Sequence, residues 1–156
     1  MKLLISGLKY SLPISRCFTV DLMHLFCLNV GELLCIPLWS WRGTLTCSRT
    51  DNILTWDWAT LTGETWEDHG KFVAAVTKHF PSSFHWPSCN PAKKISSGYK
   101  SQEYYLYLFG LGPAYFRTIL PDKYWKNFCK LTCGVQIAMR RRITGTQVQE
   151  AHCVLV

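Results

Sequence analysis

A chain of 156 residues and 18.0 kDa is one domain long by the usual allowance of roughly 150 residues per domain. Seven Trp, seven Tyr and eight Phe exclude a disordered tail or a low-complexity linker, which lack large apolar groups to bury. The net charge is +7 and the surplus is all C-terminal: residues 1–92 hold 7 basic and 7 acidic groups, residues 93–156 hold 10 and 3.

The first element is predicted from Thr19 to Leu34. Apolar residues (Val20, Leu22, Met23, Leu25, Phe26, Val30, Leu33, Leu34) fall all round a helical projection there, the pattern of a helix enclosed by protein. Pro37 stops it. Residues 39–63 read as a Trp-, Thr- and Gly-rich connection, and Asp51 to Gly70 carries five acids without a Lys or Arg. Thr65 followed by Asp68 resembles a capping box, opening a helix that runs to Phe80 with Trp66, Val73, Val76 and Phe80 as its apolar stripe. Residues 81–98, with three prolines, form a long loop of the kind that is mobile or functional.

An aromatic helix follows from Ser101 to Leu111, broken at Gly112-Pro113 and resumed to Leu120. From Asp122 to Arg142, Tyr124, Phe128, Leu131, Val135 and Ala138 recur at helical spacing, while Lys123, Lys126 and Lys130 recur on another face at i, i+3, i+7. Thr144 caps a last helix running into Val156, whose apolar end reads as cut rather than finished. There is no internal repeat, Gly-rich phosphate loop or alternating strand series. The expected fold is mainly α, an irregular bundle of about five to six helices with long loops.

Leu3, Leu4 and Ile5 are cut short by Ser6, Gly7 and Lys9, so no secretory leader is expected. Tyr104 to Phe116 is 13 residues long and contains Gly110, Gly112 and Pro113, against about 20 needed to cross a bilayer, and Asp21 and Glu32 interrupt the apolar segment 18–41. No membrane partner is expected. Eight cysteines are about 5% of the chain, below the roughly 8 to 10% of a disulfide scaffold, and no Asn-x-Ser/Thr acceptor occurs. Reduced thiols in an intracellular protein are the expectation.

Three constellations carry chemistry. Asp21 and His24 stand at i and i+3 on one helix face, either as a helix-start acid with a satisfied histidine or as a metal or acid–base pair. Cys129, Cys133, His152 and Cys153, with His79, His85 and Cys89 elsewhere, supply zinc-ligand types but only one half of a two-knuckle site. Inert buried thiols are the plainer reading. Lys123, Lys126, Lys130 and Arg140-Arg141-Arg142, supported by Lys93, Lys94 and Lys100, form a basic patch suited to nucleic-acid phosphates or to plain solvation. Tyr99, Tyr104, Tyr105 and Tyr107 either stack on bases or, as their helical period favours, form core.

The run Ser15-Arg16-Cys17-Phe18-Thr19-Val20-Asp21-Leu22-Met23-His24-Leu25-Phe26-Cys27-Leu28-Asn29-Val30, followed by Trp39 to Gly43, resembles the Asp-x-Met-His…Asn-Val segment of CACTA-type transposases. A second stretch, Tyr99-Lys100-Ser101-Gln102-Glu103-Tyr104-Tyr105, with Leu120 to Trp125 and Ile143-Thr144-Gly145, resembles the helical part downstream in the same proteins. Together they cover most of residues 15–156. Residues 1–14 form an unmatched leader, and Cys35 and Ser40-Trp41 look like insertions.

The resemblance implies a cut-and-paste enzyme whose three carboxylates hold two divalent metals on a ribonuclease-H-like sheet. It places that sheet and the early acids before residue 15 and the final Glu beyond Val156, with Glu150 a poor stand-in. Asp21 and His24 match the motif that supports the metal site, as a supporting pair rather than certain ligands. The expectation is therefore a truncated transposase-derived fragment without catalysis, metal or cofactor of its own, lacking most of the sheet. It retains residual DNA binding through Lys123, Lys126, Lys130, Arg140, Arg141 and Arg142. DNA and a full-length transposase are the partners left open, no small-molecule substrate is expected, and the compartment is intracellular, nuclear if functional. A stand-alone basic helical nucleic-acid-binding module is the alternative; a working metal nuclease and a zinc-stabilised module are further ones. The missing sheet also implies exposed apolar area.

Overall fold

The computed structural model describes residues 21–31, 56–81, 88–95 and 98–155. The leader 1–14, the ends of the first expected helix, most of the 39–63 connection, Cys35, Ser40, Trp41 and His85 lie outside the described residues. Within them the chain is mainly α, with seven helices in order: α1 (Met23–Val30, π-wound), α2 (Gly63–Thr77), α3 (Pro91–Lys94), α4 (Ser101–Tyr104, continued by a π-helical stretch Tyr105–Gly110), α5 (Gly112–Tyr115), α6 (Asp122–Ala138) and α7 (Gly145–Leu155). No strand occurs among the described residues.

Where helices start is decided by local side chains. The capping pair at α2 lies three residues earlier than Thr65 and Asp68: the Thr62 backbone N–H donates to Thr65 Oγ1 at 3.1 Å, so Thr65 is the third helical residue and not the cap. Gly63 at φ +54° makes this early start possible, a backbone setting that a side chain would strain. Asp68 instead pairs with Lys71 at 2.7 Å on the outer face. At α7 the expectation holds, since Gln147 N–H donates to Thr144 Oγ1 (3.3 Å) and Thr144 N–H donates to Gln147 Oε1 (3.0 Å).

The helix expected from Asp122 to Arg142 ends four residues early. α6 stops at Ala138, and Arg140 to Arg142 lie in the turn beyond it. The chain must reverse before Thr144 so that α7 can fold back on α6, and three adjacent like charges do not favour another helical turn. The two helices approach closely where α6 carries Gly134: a Cβ there would stand 2.6 Å from Leu155 Cδ2. Two of the expected continuous elements are similarly divided. The 81–98 loop contains the short helix α3, begun by Pro91, and residues 116–120 after α5 turn rather than resume a helix. Gly112 is needed at that break, because a Cβ would lie 2.8 Å from Phe128 Cζ.

The core gathers around α4 and its π-helical extension, where Tyr107, Leu108 and Phe109 are all fully buried. Three consecutive buried residues mean an element surrounded on every side, which is how this aromatic run behaves. α1, expected to be the enclosed helix, is not. It buries Cys27 and Gly31 towards α4, but Met23 and Leu25 are exposed at 36% and 39%. Because burial and not hydrophobicity sets the cost of truncation, Leu25→Ala is expected to change stability by less than about 0.5 kcal/mol in urea unfolding. A loss of several kcal/mol would place Leu25 under cover.

Val73, Trp66, Phe128 and Val135 bring the stripes of α2 and α6 into the same core. Large exposed apolar side chains also occur on α2 (Phe72) and near the C-terminus (Ile143, Val148, Leu155). No helix among the described residues is long and apolar enough to cross a membrane.

Candidate functional site

The basic residues singled out by spacing are all exposed: Lys123, Lys126 and Lys130 along α6, and Arg140, Arg141 and Arg142 in the turn after it. Lys123, Lys126 and Lys130 share one face by helical geometry, because three- and four-residue steps return to the same side. The acid at the start of that helix, Asp122, is engaged by Arg117 at 2.7 Å. This guanidinium holds the Asp122 carboxyl below the usual range and also lies 4.3 Å over the Trp125 ring. Arg117 is thus tied down structurally, whereas none of the three ion pairs among the described residues uses a residue of the basic set.

Asp21 sits just ahead of α1 and acts as its N-terminal acid. One carboxylate oxygen accepts from Met23 N–H at 3.0 Å and from His24 N–H at 3.2 Å, and the other is hydrogen-bonded to His24 Nδ1. The imidazole contact holds the Asp21 carboxyl below its ordinary value. Both side chains are more than half exposed, and the hydrogen-bonding is that of a helix start with a satisfied histidine.

Cys129 and Cys133 are half-buried on α6, while His152 and Cys153 are exposed on α7. Desolvation raises the Cys129 thiol. Cys89 is raised by its contact with Glu103, a buried carboxylate that also accepts from Cys89 N–H (3.3 Å) and Lys100 N–H (2.9 Å) and so clasps Cys89 and Lys100 to α4. Both shifts favour the protonated thiol and disfavour the thiolate that metal binding needs. Among the described residues no three His, Cys, Asp or Glu side chains converge into a group that could hold a metal.

No family model, curated protein or solved structure matches the chain.

Of the four tyrosines that read as either core or base-stacking residues, Tyr99, Tyr104 and Tyr107 are buried and Tyr105 is half-buried against the same cluster. They are structural. Tyr99 and Tyr104 also donate hydrogen bonds to the carbonyls of Cys89 and Ile95, both at 3.1 Å, pinning the α3 region to α4.

Sequence reasoning missed His69. It is 6% exposed, and its Nε2 is hydrogen-bonded to Tyr107 Oη at 2.8 Å across 38 positions of sequence. Trp66 and Phe116 stack on the imidazole at ring-centroid distances of 5.9 and 5.6 Å, and Tyr115 meets it edge-on at 6.2 Å. Burial pushes its pKa down to about 4, so the ring is neutral at pH 7. A signal for it existed: His69 stands at i+3 from Trp66 and i−4 from Val73, inside the apolar stripe of α2.

Proposed function

We propose that the chain is a transposase-derived helical module, without catalysis of its own, that contacts DNA through its phosphates and acts in the nucleus. The observation carrying the DNA contact is that Lys123, Lys126, Lys130, Arg140, Arg141 and Arg142 are all exposed along α6 and its following turn, while the nearby Asp122 is taken up by Arg117. Cations on a regularly spaced helix face neutralise phosphates and release counterions, which gives affinity without sequence preference. The transposase origin rests on the Asp21 to Val30 and Tyr99 to Tyr105 resemblances. An intact relative is a natural second partner.

Electrophoretic shifts of a 20-base-pair duplex test the reading. With all six cations engaged, log K is expected to fall with log salt at a slope of about −5, and Lys→Gln at 123, 126 and 130 together is expected to flatten it by about 2.7. Arg→Gln at 140, 141 and 142 does the same if the turn contacts phosphate. No shift at low salt, or a slope that neither triple variant moves, overturns the interface. Nicking of plasmid DNA with Mg²⁺ or Mn²⁺ that Asp21→Asn abolishes would overturn the absence of catalysis.

A further inference from the structure

An open groove of about 580 Å³ runs between α2, α5 and the turn that follows α5. Phe72, Leu61, Ala114 and Ile119 give it apolar lining, and Phe72 is 53% exposed, a large ring left in water. Phe72 ends an i, i+4, i+8 row on α2 whose other members are Glu64 and Asp68, and Glu67 lies beside that row, so the apolar groove has an acidic rim. Asp68 is paired with Lys71, but Glu64 and Glu67 are exposed and take part in none of the ion pairs among the described residues. On the opposite wall Arg117, next to Thr118, is already held by Asp122.

The same chain carries the converse of this surface. The turn after α6 holds Arg140, Arg141 and Arg142, all exposed and in none of those ion pairs, followed directly by Ile143, which is 41% exposed. An exposed aliphatic group beside three cations is the complement of an apolar groove beside carboxylates. The lengths agree as well. From Phe72 back to Glu64 along the helix is about 12 Å. From Ile143 back to Arg140 is at most about 10 Å of chain, and the long arginine side chain spans the remainder. Seating Ile143 against Phe72 therefore brings an arginine to the unpaired acids of α2. Within one chain no ion pair among the described residues joins the two surfaces, so the turn that fits this groove is that of another copy.

We propose that this chain self-associates by seating the Arg140 to Ile143 turn of one copy in the acid-rimmed groove between α2 and α5 of another, with Ile143 against Phe72 and the arginines on Glu64 and Glu67. Exposed ion pairs are individually weak, so the contact needs the apolar anchor as well as the charges. Groove and turn are different patches, so the contact is made twice in a closed two-fold dimer or repeated head to tail, and both arrangements use the same residues. The lysine face of α6 takes no part in it, and the contact does not depend on nucleic-acid binding.

Sedimentation velocity of the full chain without nucleic acid, from micromolar to submillimolar protein, tests it. At about 0.05 M salt the weight-average sedimentation coefficient is expected to rise with concentration, and about 0.5 M salt should remove most of that rise. Glu64→Lys with Glu67→Lys, and separately Arg140→Glu with Arg142→Glu, should each weaken association at least about tenfold by setting like charges opposite one another. An equimolar mixture of these two variants should associate again, because every groove then meets a turn of opposite charge. Ile143→Asp should be monomeric, whereas Val148→Asp, exposed on α7 outside the turn, should associate as the native chain does. Circular dichroism checks each fold; if the lysine pair does not fold, glutamine at both positions takes its place, and the arginine and Ile143 variants carry the decision. A chain that stays monomeric at low salt, association that salt does not weaken, folded charge-reversed variants that associate as before, a mixture that does not recover, or dissociation by Val148→Asp but not by Ile143→Asp would each overturn the proposal. With no nucleic acid in the cell, such a failure leaves the phosphate reading standing.

Discussion

Acidification from pH 7.5 to pH 4 is expected to remove about 3 kcal/mol of folding stability through His69 alone, a difference of about 2.5 pKa units at 1.36 kcal/mol each. In the unfolded chain this imidazole titrates near 6.5, whereas burial holds it at about 4 in the native protein. Between those values the unfolded state binds more protons than the folded one, so stability falls as pH falls. The contribution is fully present above pH 6.5 and is lost by about pH 4, below which both states carry the charge. The ionisable groups around the ring do not compensate: burial raises the Tyr115 hydroxyl further away from this range, and Asp68 is exposed and paired with Lys71.

His69→Gln separates this histidine from all other titrating groups. A glutamine amide retains hydrogen-bonding capacity towards Tyr107 but has no proton to gain. Urea midpoints measured at pH 7.5, 6.5, 5.5 and 4.5 should fall more steeply for the native chain than for the variant, with the gap opening below pH 6.5. Parallel curves would mean that the imidazole gains its proton without leaving the core, and burial would not be controlling it. The other histidines and every carboxylate occur in both proteins and cancel in the comparison.

How far the sequence discloses this protein depends on the range of the interaction concerned. The stripes of α2 and α6 are legible because a 3.6-residue period records which face is covered, and Val73, Phe128 and Val135 are indeed inside. The start of α7 is legible because a cap is a contact between neighbours, Thr144 with Gln147. Periodicity does not say what lies opposite. α1 and the Tyr104–Phe109 run are both apolar on all sides, yet only the second is surrounded, since enclosure depends on which elements pack around it. The six cations are legible as a patch, but the position of the arginines beyond α6 follows from the chain reversal that α7 demands. His69 with Tyr107, and the edge-on contact of Tyr115 with the same imidazole, are assembled from α2, the π-helical extension of α4 and α5, and no local pattern announces that meeting. The stripe of α2 does contain a histidine where an apolar residue would sit, a polar group that had to find a buried partner.

The same convergence makes Phe116 the most costly side chain to truncate. Its ring is fully buried in the turn after α5 and touches three other elements: it stacks on His69 of α2 at 5.6 Å, and meets Tyr107 of the π-helical stretch edge-on at 5.7 Å and Phe128 of α6 edge-on at 5.2 Å. Phe116→Ala removes the hydrophobic burial and opens a hole among aromatic neighbours whose rigid rings and shared contacts prevent collapse, at an expected cost of about 3–5 kcal/mol. Against the roughly 5–15 kcal/mol of a small domain this is a large share, and with a urea m-value of about 2 kcal/mol/M the midpoint should drop by about 2 M. Phe116→Leu keeps most of the volume and should cost under about 1.5 kcal/mol. Because the hole exposes His69, the alanine variant should also lose much of the acid sensitivity described above: an imidazole that regains water no longer resists its proton. A midpoint shift below about 0.5 M for Phe116→Ala would show that the three elements do not depend on this ring to hold together.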